Sequence, residues 1–163
     1  MSGFDTKRYV PCLRTDELVF HFAKLAVRER LEKCSNQSVH NLNDLAQALS
    51  GRFDYFSSFG VRACAISLPP SFSPRAVSDA EAEAALAKIL AADEQANESD
   101  RAALGYWVFW QLAENCGRRG LPFELMIGVN RAVYPAGVYQ GQDLYDSRVS
   151  LIQYRELFNS FPN

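Results

Sequence analysis

The sequence predicts an α/β fold of about three parallel strands alternating with helices. Three observations predict it. Short apolar runs at residues 7–13, 61–68 and 121–127 recur along the chain; helix-length segments of ten or more residues separate them, the signature of βα units; and the middle run, VRACAISL, carries no charge after Arg62, as expected of a strand buried on both faces of a parallel sheet.

The first strand, KRYVPCL, runs into Arg14. Thr15 or Asp16 then caps a helix expected to continue to about Lys33, with Leu18, Phe22 and Leu25 on one face. After the loop CSNQSVH, Asn41 opens a second helix. Its Leu42, Leu45, Leu49, Phe53 and Phe56 form an apolar stripe, and Gly60 offers a left-handed terminus. Beyond VRACAISL, Pro69 and Pro70 stop the strand, and Ser78 with Glu81 forms a capping box for the helix 78–92. ADEQANES is a polar connector. Ser99 begins a longer helix closed by Gly117 and Gly120, LPFELMI is the third strand, and 146–161 is a final helix. Between the last two lies a loop crowded with Arg131, Tyr134, Tyr139, Gln142 and Asp143; long connections of this kind carry function or are disordered, and its aromatic content argues against disorder.

Composition excludes several classes. Hydrophobic residues make up 48% of the 163-residue chain, enough for a sizeable core. A formal net charge of -2 provides no basic field, so neither nucleic acid nor an anionic membrane surface is an expected partner. No apolar run approaches the roughly 20 residues of a membrane span and MSGFDTKRYV lacks a secretion core, which points to the cytoplasm. Cys12, Cys34, Cys64 and Cys116 are widely separated, with no CxxC and no His at metal-ligand spacing, so reduced thiols are expected.

Three segments, VPCLRTD at 10–16, LAQALSGRFDYFSSFGVRA at 45–63 and ENCGRRGLPFELMIGVNR at 114–131, together resemble the later part of uronate (glucuronate) isomerases, members of the amidohydrolase superfamily of TIM barrels. The resemblance implies a partial (β/α)8 barrel over 1–163, expected to be incomplete because a whole barrel needs eight βα units and about 250 residues. It implies aldose–ketose isomerisation of D-glucuronate or D-galacturonate, with the isolated segment inactive. A related barrel enzyme acting on another sugar acid, or a non-catalytic sugar-acid-binding remnant, is the alternative. The departures matter too: Met126 stands where the family has a histidine, and Ala65 and Ile66 where it tends to have Asp-His. The family's metal-binding His-x-His and last-strand Asp are not matched, so no metal ligand is assigned; zinc or manganese is a candidate cofactor of a full-length parent only.

The residues expected to contact a sugar acid are Arg14, Arg131, Glu124 and Asp143. Arg14 matches the family's substrate-binding arginine and could pair with a carboxylate; its other reading is a solvated charge beside a helix start. Arg131 follows the matched Ile-Gly and could equally be a loop ion pair. Asp143, beside Gln142, suits sugar hydroxyls or an ordinary packed loop. Glu124 shares a strand face with Met126 and, were that face the barrel lining, would be a buried carboxylate in need of a partner. Met126 is expected to pack. His21 and His40 are expected at the surface or in packing, and Tyr106, Trp107, Phe109 and Trp110 between helix and sheet. Arg118 and Arg119 complement a helix dipole. Unpaired sheet edges predict self-association.

Overall fold

The computed structural model describes residues 5, 8–130 and 144–162. Its centre is a three-stranded sheet of β1 (Cys12–Arg14), β2 (Ala63–Leu68) and β3 (Phe123–Ile127), parallel throughout and in the order β1-β2-β3. The register aligns Arg14 with Ala65 and Ala65 with Glu124. Each strand adds to the same side of its predecessor, as in a barrel wall, whereas a doubly wound sheet reverses direction at a switch point.

The helices cover one face. Leu13, Cys64, Ile66 and Leu68 belong to the buried core, with Phe123, Leu125 and Ile127 packed against it. Cys12, Arg14, Glu124 and Met126 alternate onto the opposite face and are exposed. All six residues of β2 are buried, as its sequence predicted. On the open face, however, Ala63, Ala65 and Ser67 are buried as short side chains flanked by longer ones on β1 and β3.

β1 begins later than expected. The amides of Arg8 and Tyr9 turn back to the Asp5 carbonyl, and pairing with the second strand starts at the Pro11 carbonyl, which accepts from Arg62 N–H. Tyr9 and Val10 are exposed.

The helix expected over 16–33 is two helices, α1 (Asp16–Phe20) and α2 (Leu25–Ser35). Arg28 explains the break. Its guanidinium is buried and donates to the carbonyls of Phe22 and Ala23, at 3.3 and 2.8 Å, and pairs with Asp93. Carbonyls that an unbroken helix would satisfy internally are thus satisfied by a side chain. The bend rotates the second segment, so Val27, Arg28 and Leu31 are buried while Leu25, expected on the apolar face, is exposed.

Helix α3 (Leu42–Ser58) starts as predicted, with the Asn41 side chain accepting from Asp44 N–H at 2.9 Å and its apolar stripe in the core. In α4 (Asp79–Ala92) Ser78 accepts from Glu81 N–H, but Glu81 pairs with Arg75 instead of completing the box. The cap of α5 (Glu98–Arg119) is Asn97, not Ser99; Asn97 Oδ1 accepts from Asp100 N–H at 2.8 Å. Gly120 ends α5 in the left-handed conformation at φ 62°, and the Leu121 amide returns to the Cys116 carbonyl. The aromatic residues of α5 behave as core: Phe109 and Trp107 are buried, and Phe109 packs on Phe72 and Phe123.

After β3, Val129–Asn130 (β4) pairs antiparallel with Leu144–Tyr145 (β5). The final helix is shorter than predicted. Residues 146–150 form a turn, Leu151–Tyr154 is a 3-10 turn and α6 covers only Arg155–Ser160. The Asp146 carboxylate is engaged by the Arg148 backbone N–H, a local bond that competes with helix formation. Tyr154 anchors this segment: it is fully buried, donates to the Phe72 carbonyl at 3.1 Å, and burial pushes its phenol up to about 12.

Candidate functional site

Polar groups gather where β1, β2 and β3 end, the position at which parallel strands of a barrel present reactive side chains. Arg14, the last residue of β1, donates from Nε to Asp16 Oδ2 at 3.1 Å and from Nη2 to Asp16 Oδ1 at 3.0 Å. Nη2 also donates to Ser67 Oγ at 2.9 Å, and the Ser67 amide donates to Asp16 Oδ1 at 3.0 Å. Backbone, hydroxyl, carboxylate and guanidinium therefore lock together across the ends of β1 and β2. A guanidinium has five N–H donors. Three are committed here, and among the described residues the two on Nη1 face only the Met126 sulfur, 3.9 Å away. Sulfur is a weak acceptor, so this half of the fork retains its capacity for a carboxylate or hydroxyl ligand. The side chain is 49% exposed. Arg14 is thus neither of its two sequence readings in pure form, being paired through one edge and open through the other.

Met126, expected to pack, lies on the open face at 38% exposure with its sulfur against Arg14. Glu124, expected to be buried only if its face lines a barrel, is exposed in this chain and forms no hydrogen bond or ion pair among the described residues. No described residue covers this face. Across the sheet, Glu124 and Arg14 flank the short side chain of Ala65. Cys12 shares this face, and its thiol is pushed up by partial burial and then by the Glu124 charge. Ile66 belongs to the helix-side core, so of the two apolar replacements only Ala65 shares the face of Arg14 and Glu124.

A second charged pair follows β5. Asp146 accepts from Arg148 Nε at 2.9 Å, Nη2 at 2.6 Å and the Arg148 amide at 3.0 Å, and these bonds hold its carboxyl well below the usual carboxylate range. The Asp146 amide donates to the Gly128 carbonyl, and the Gly128 amide to the Leu68 carbonyl, so this pair is tied to the same end of the sheet. Gly128 is required there: at φ 82°, an added Cβ would stand 2.9 Å from the Asp146 carbonyl oxygen and 3.0 Å from the Tyr145 ring.

Of the four sugar-acid contacts expected from sequence, the structure brings Arg14 and Glu124 to one face; Arg131 and Asp143 lie outside the described residues. Asp16, Ser67, Asp146 and Arg148 were not singled out as site residues. The Arg-x-Asp spacing at 14–16 and the lone hydroxyl in ACAISL were the available signals. His21 and His40 are exposed, as expected. Among the described residues no three His, Cys, Asp or Glu side chains converge, so these residues alone do not fit a zinc or manganese ion, which needs at least three protein ligands in a catalytic zinc site. Nor is any helix among them long and apolar enough to cross a membrane.

The fold recurs in solved structures. The uronate isomerase from Thermotoga maritima superposes with a TM-score of 0.77 at 20% identity, over 93% of this chain and 35% of that one. The glucuronate isomerase from Caulobacter crescentus gives 0.76 at 18%, over 94% and 33%, and the uronate isomerase from Bacillus halodurans 0.63 at 23%, over 95% and 31%. The chain therefore spans about a third of the length of these TIM-barrel-type proteins. No curated protein sequence matches it. The glucuronate isomerase family model matches residues 4–160, nearly the whole sequence, and the chain belongs to that family.

Proposed function

We propose that this chain forms the sugar-acid-binding wall of a uronate isomerase active site, of the kind that interconverts D-glucuronate or D-galacturonate with the corresponding keto sugar acid, in the cytoplasm. The observation that carries the reading is the Nη1 edge of Arg14, whose guanidinium is held by Asp16 and Ser67 at the end of β1 and which meets no strong acceptor among the described residues. A guanidinium so fixed loses little freedom on binding a carboxylate.

Isomerisation requires a base to take the proton beside the aldehyde carbon and electrostatic stabilisation of the enediol oxygens. On the open face Glu124 and Cys12 are the described side chains able to exchange a proton, and the raised Cys12 thiol is a poor base at neutral pH. Proton transfer at useful rates needs groups held at hydrogen-bond distance and sheltered from water. The described residues offer a binding wall without that shelter. A non-catalytic sugar-acid-binding role is a second reading, favoured by Met126 and Ala65 standing where the family's polar groups are expected.

The test is an isomerase assay with D-glucuronate and D-galacturonate, with and without zinc or manganese, run on this chain and on its reading frame extended by the flanking sequence. The chain is expected to be inactive and the extended protein to turn over at least one uronate. Failure of the extended protein in every condition rejects the isomerase reading and leaves the binding role.

A further inference from the structure

The group that Arg14 meets at its open edge is a thioether. Arg14 is level with Ala65 in the sheet register and reaches over the next open-face pair, Ser67 and Met126, placing Nη2 2.9 Å from Ser67 Oγ and Nη1 3.9 Å from the Met126 sulfur. Bonds to Asp16 and Ser67 fix the guanidinium, so the sulfur is held at a set distance from an edge that meets no strong acceptor among the described residues. Met126 is 38% exposed and the Arg14 side chain 49%, so both are open to small solutes.

A thioether is a weak acceptor and leaves Nη1 available to a stronger one. Oxidation changes this. Hydrogen peroxide transfers one oxygen atom to the sulfur, which gives up two electrons: the peroxide O–O bond breaks, an S–O bond forms, and the remaining oxygen leaves as water with both protons. The sulfoxide is polar and chiral. Its oxygen stands one bond from a sulfur already 3.9 Å from Nη1, within hydrogen-bond distance for the epimer and rotamer that turn it toward Arg14. Such a bond is charge-assisted, and because Met126 and the guanidinium are already held side by side, forming it requires little further ordering. The sulfoxide then accepts from the edge that a carboxylate would use.

We propose that Met126 is an oxidative modification site for peroxides, whose sulfoxide accepts a hydrogen bond from Arg14 Nη1 and closes that edge to anionic ligands. The edge is open when Met126 is reduced and shut when it is oxidised, and enzymatic reduction of the sulfoxide reopens it. The modification needs only the contact between Met126 and Arg14; its effect on a sugar acid rests on the function proposed above for Arg14.

Two measurements on the whole chain keep these apart. The protein is treated with hydrogen peroxide, returned to dithiothreitol to reverse disulfides and sulfenic acids, and checked by peptide mass spectrometry for oxygen on Met126. First, the Nε–Hε NMR resonance of Arg14, identified by its absence in Arg14→Lys, is expected to shift on oxidation and to return after treatment with both methionine sulfoxide reductases, one for each epimer. Second, D-glucuronate is expected to bind the oxidised protein at least about tenfold more weakly than the reduced protein, the loss of one charge-assisted hydrogen bond, with recovery on reduction. Met126→Leu should bind equally before and after peroxide, which separates Met126 from Met1 and the four cysteines. Met126 left unoxidised, an Arg14 resonance that does not move, undiminished uronate affinity of the oxidised protein, or an equal loss in Met126→Leu overturns the proposal. If reduced wild type binds no D-glucuronate, the sugar-acid reading of Arg14 fails, and the resonance alone decides the modification: a reversible shift upholds it and a fixed resonance rejects it.

Discussion

Gly105 of α5 lies against the main chain of α1 so closely that a Cβ in place of its hydrogen would stand 2.7 Å from the Val19 carbonyl oxygen. Alanine is the better helix former by about 1 kcal/mol, so local propensity and tertiary packing predict opposite signs for Gly105→Ala. The clash is with backbone, which cannot swing aside, and packing should win. The variant is expected to be about 1–3 kcal/mol less stable by urea unfolding, in the range of other overpacked sites. An equal or higher unfolding midpoint would show that α1 and α5 are not in this contact.

Asp146 supplies a pH signature. Hydrogen bonds from the Arg148 side chain, and then from its backbone, lower its pKa in the folded state. A depressed carboxylate pKa means that the unfolded chain binds the proton more readily. The stabilisation is therefore complete above the ordinary Asp value of about 4 and is lost as pH falls below it. Thermal melts of wild type and Asp146→Asn should differ at pH 7 and converge in acid. A gap that widens as pH falls would reverse the assignment.

Cys12 reports on Glu124. The carboxylate raises the thiol across the open face, with partial burial the larger cause. Because the thiolate is the nucleophile, Glu124→Gln should accelerate alkylation of Cys12 by iodoacetamide at pH 8, while Cys34, remote in sequence and exposed, keeps its rate. Unchanged Cys12 reactivity would place Glu124 away from β1 and contradict the register.

Among the described residues, the two edge strands and the exposed sheet face predict self-association of the isolated chain. Exposed Leu151, Ile152 and Phe158 add apolar surface. Sedimentation velocity should show species larger than a monomer at micromolar concentration; a clean monomer would mean that the edges are protected.

Much of this architecture is legible in the sequence because it follows from local periodicity. Strands at the end of the first apolar run and within the other two are parallel neighbours, and Asn41 and Ser78 cap the helices they introduce. What escaped depends on long-range geometry. The bend between α1 and α2 is set by Arg28, a charged residue buried through a partner 65 positions away, and a pattern reading assigns charges to the surface. Asp16 and Ser67 meet only because β1 and β2 pair in one register, 51 residues apart. The final helix was expected to begin at Asp146, whose carboxylate instead holds a local turn through the Arg148 amide. Arg14 was found through the resemblance, but the division of its donors between Asp16, Ser67 and an open edge needed coordinates.

The most direct test of the central claim is titration of D-glucuronate, with neutral D-glucose as control, into wild type and Arg14→Ala. The account predicts saturable binding of the uronate and not of glucose, and at least about a tenfold loss in Arg14→Ala from removal of a charge-assisted contact. Equal uronate affinity in the folded variant, or glucose binding as tightly as glucuronate, would contradict it.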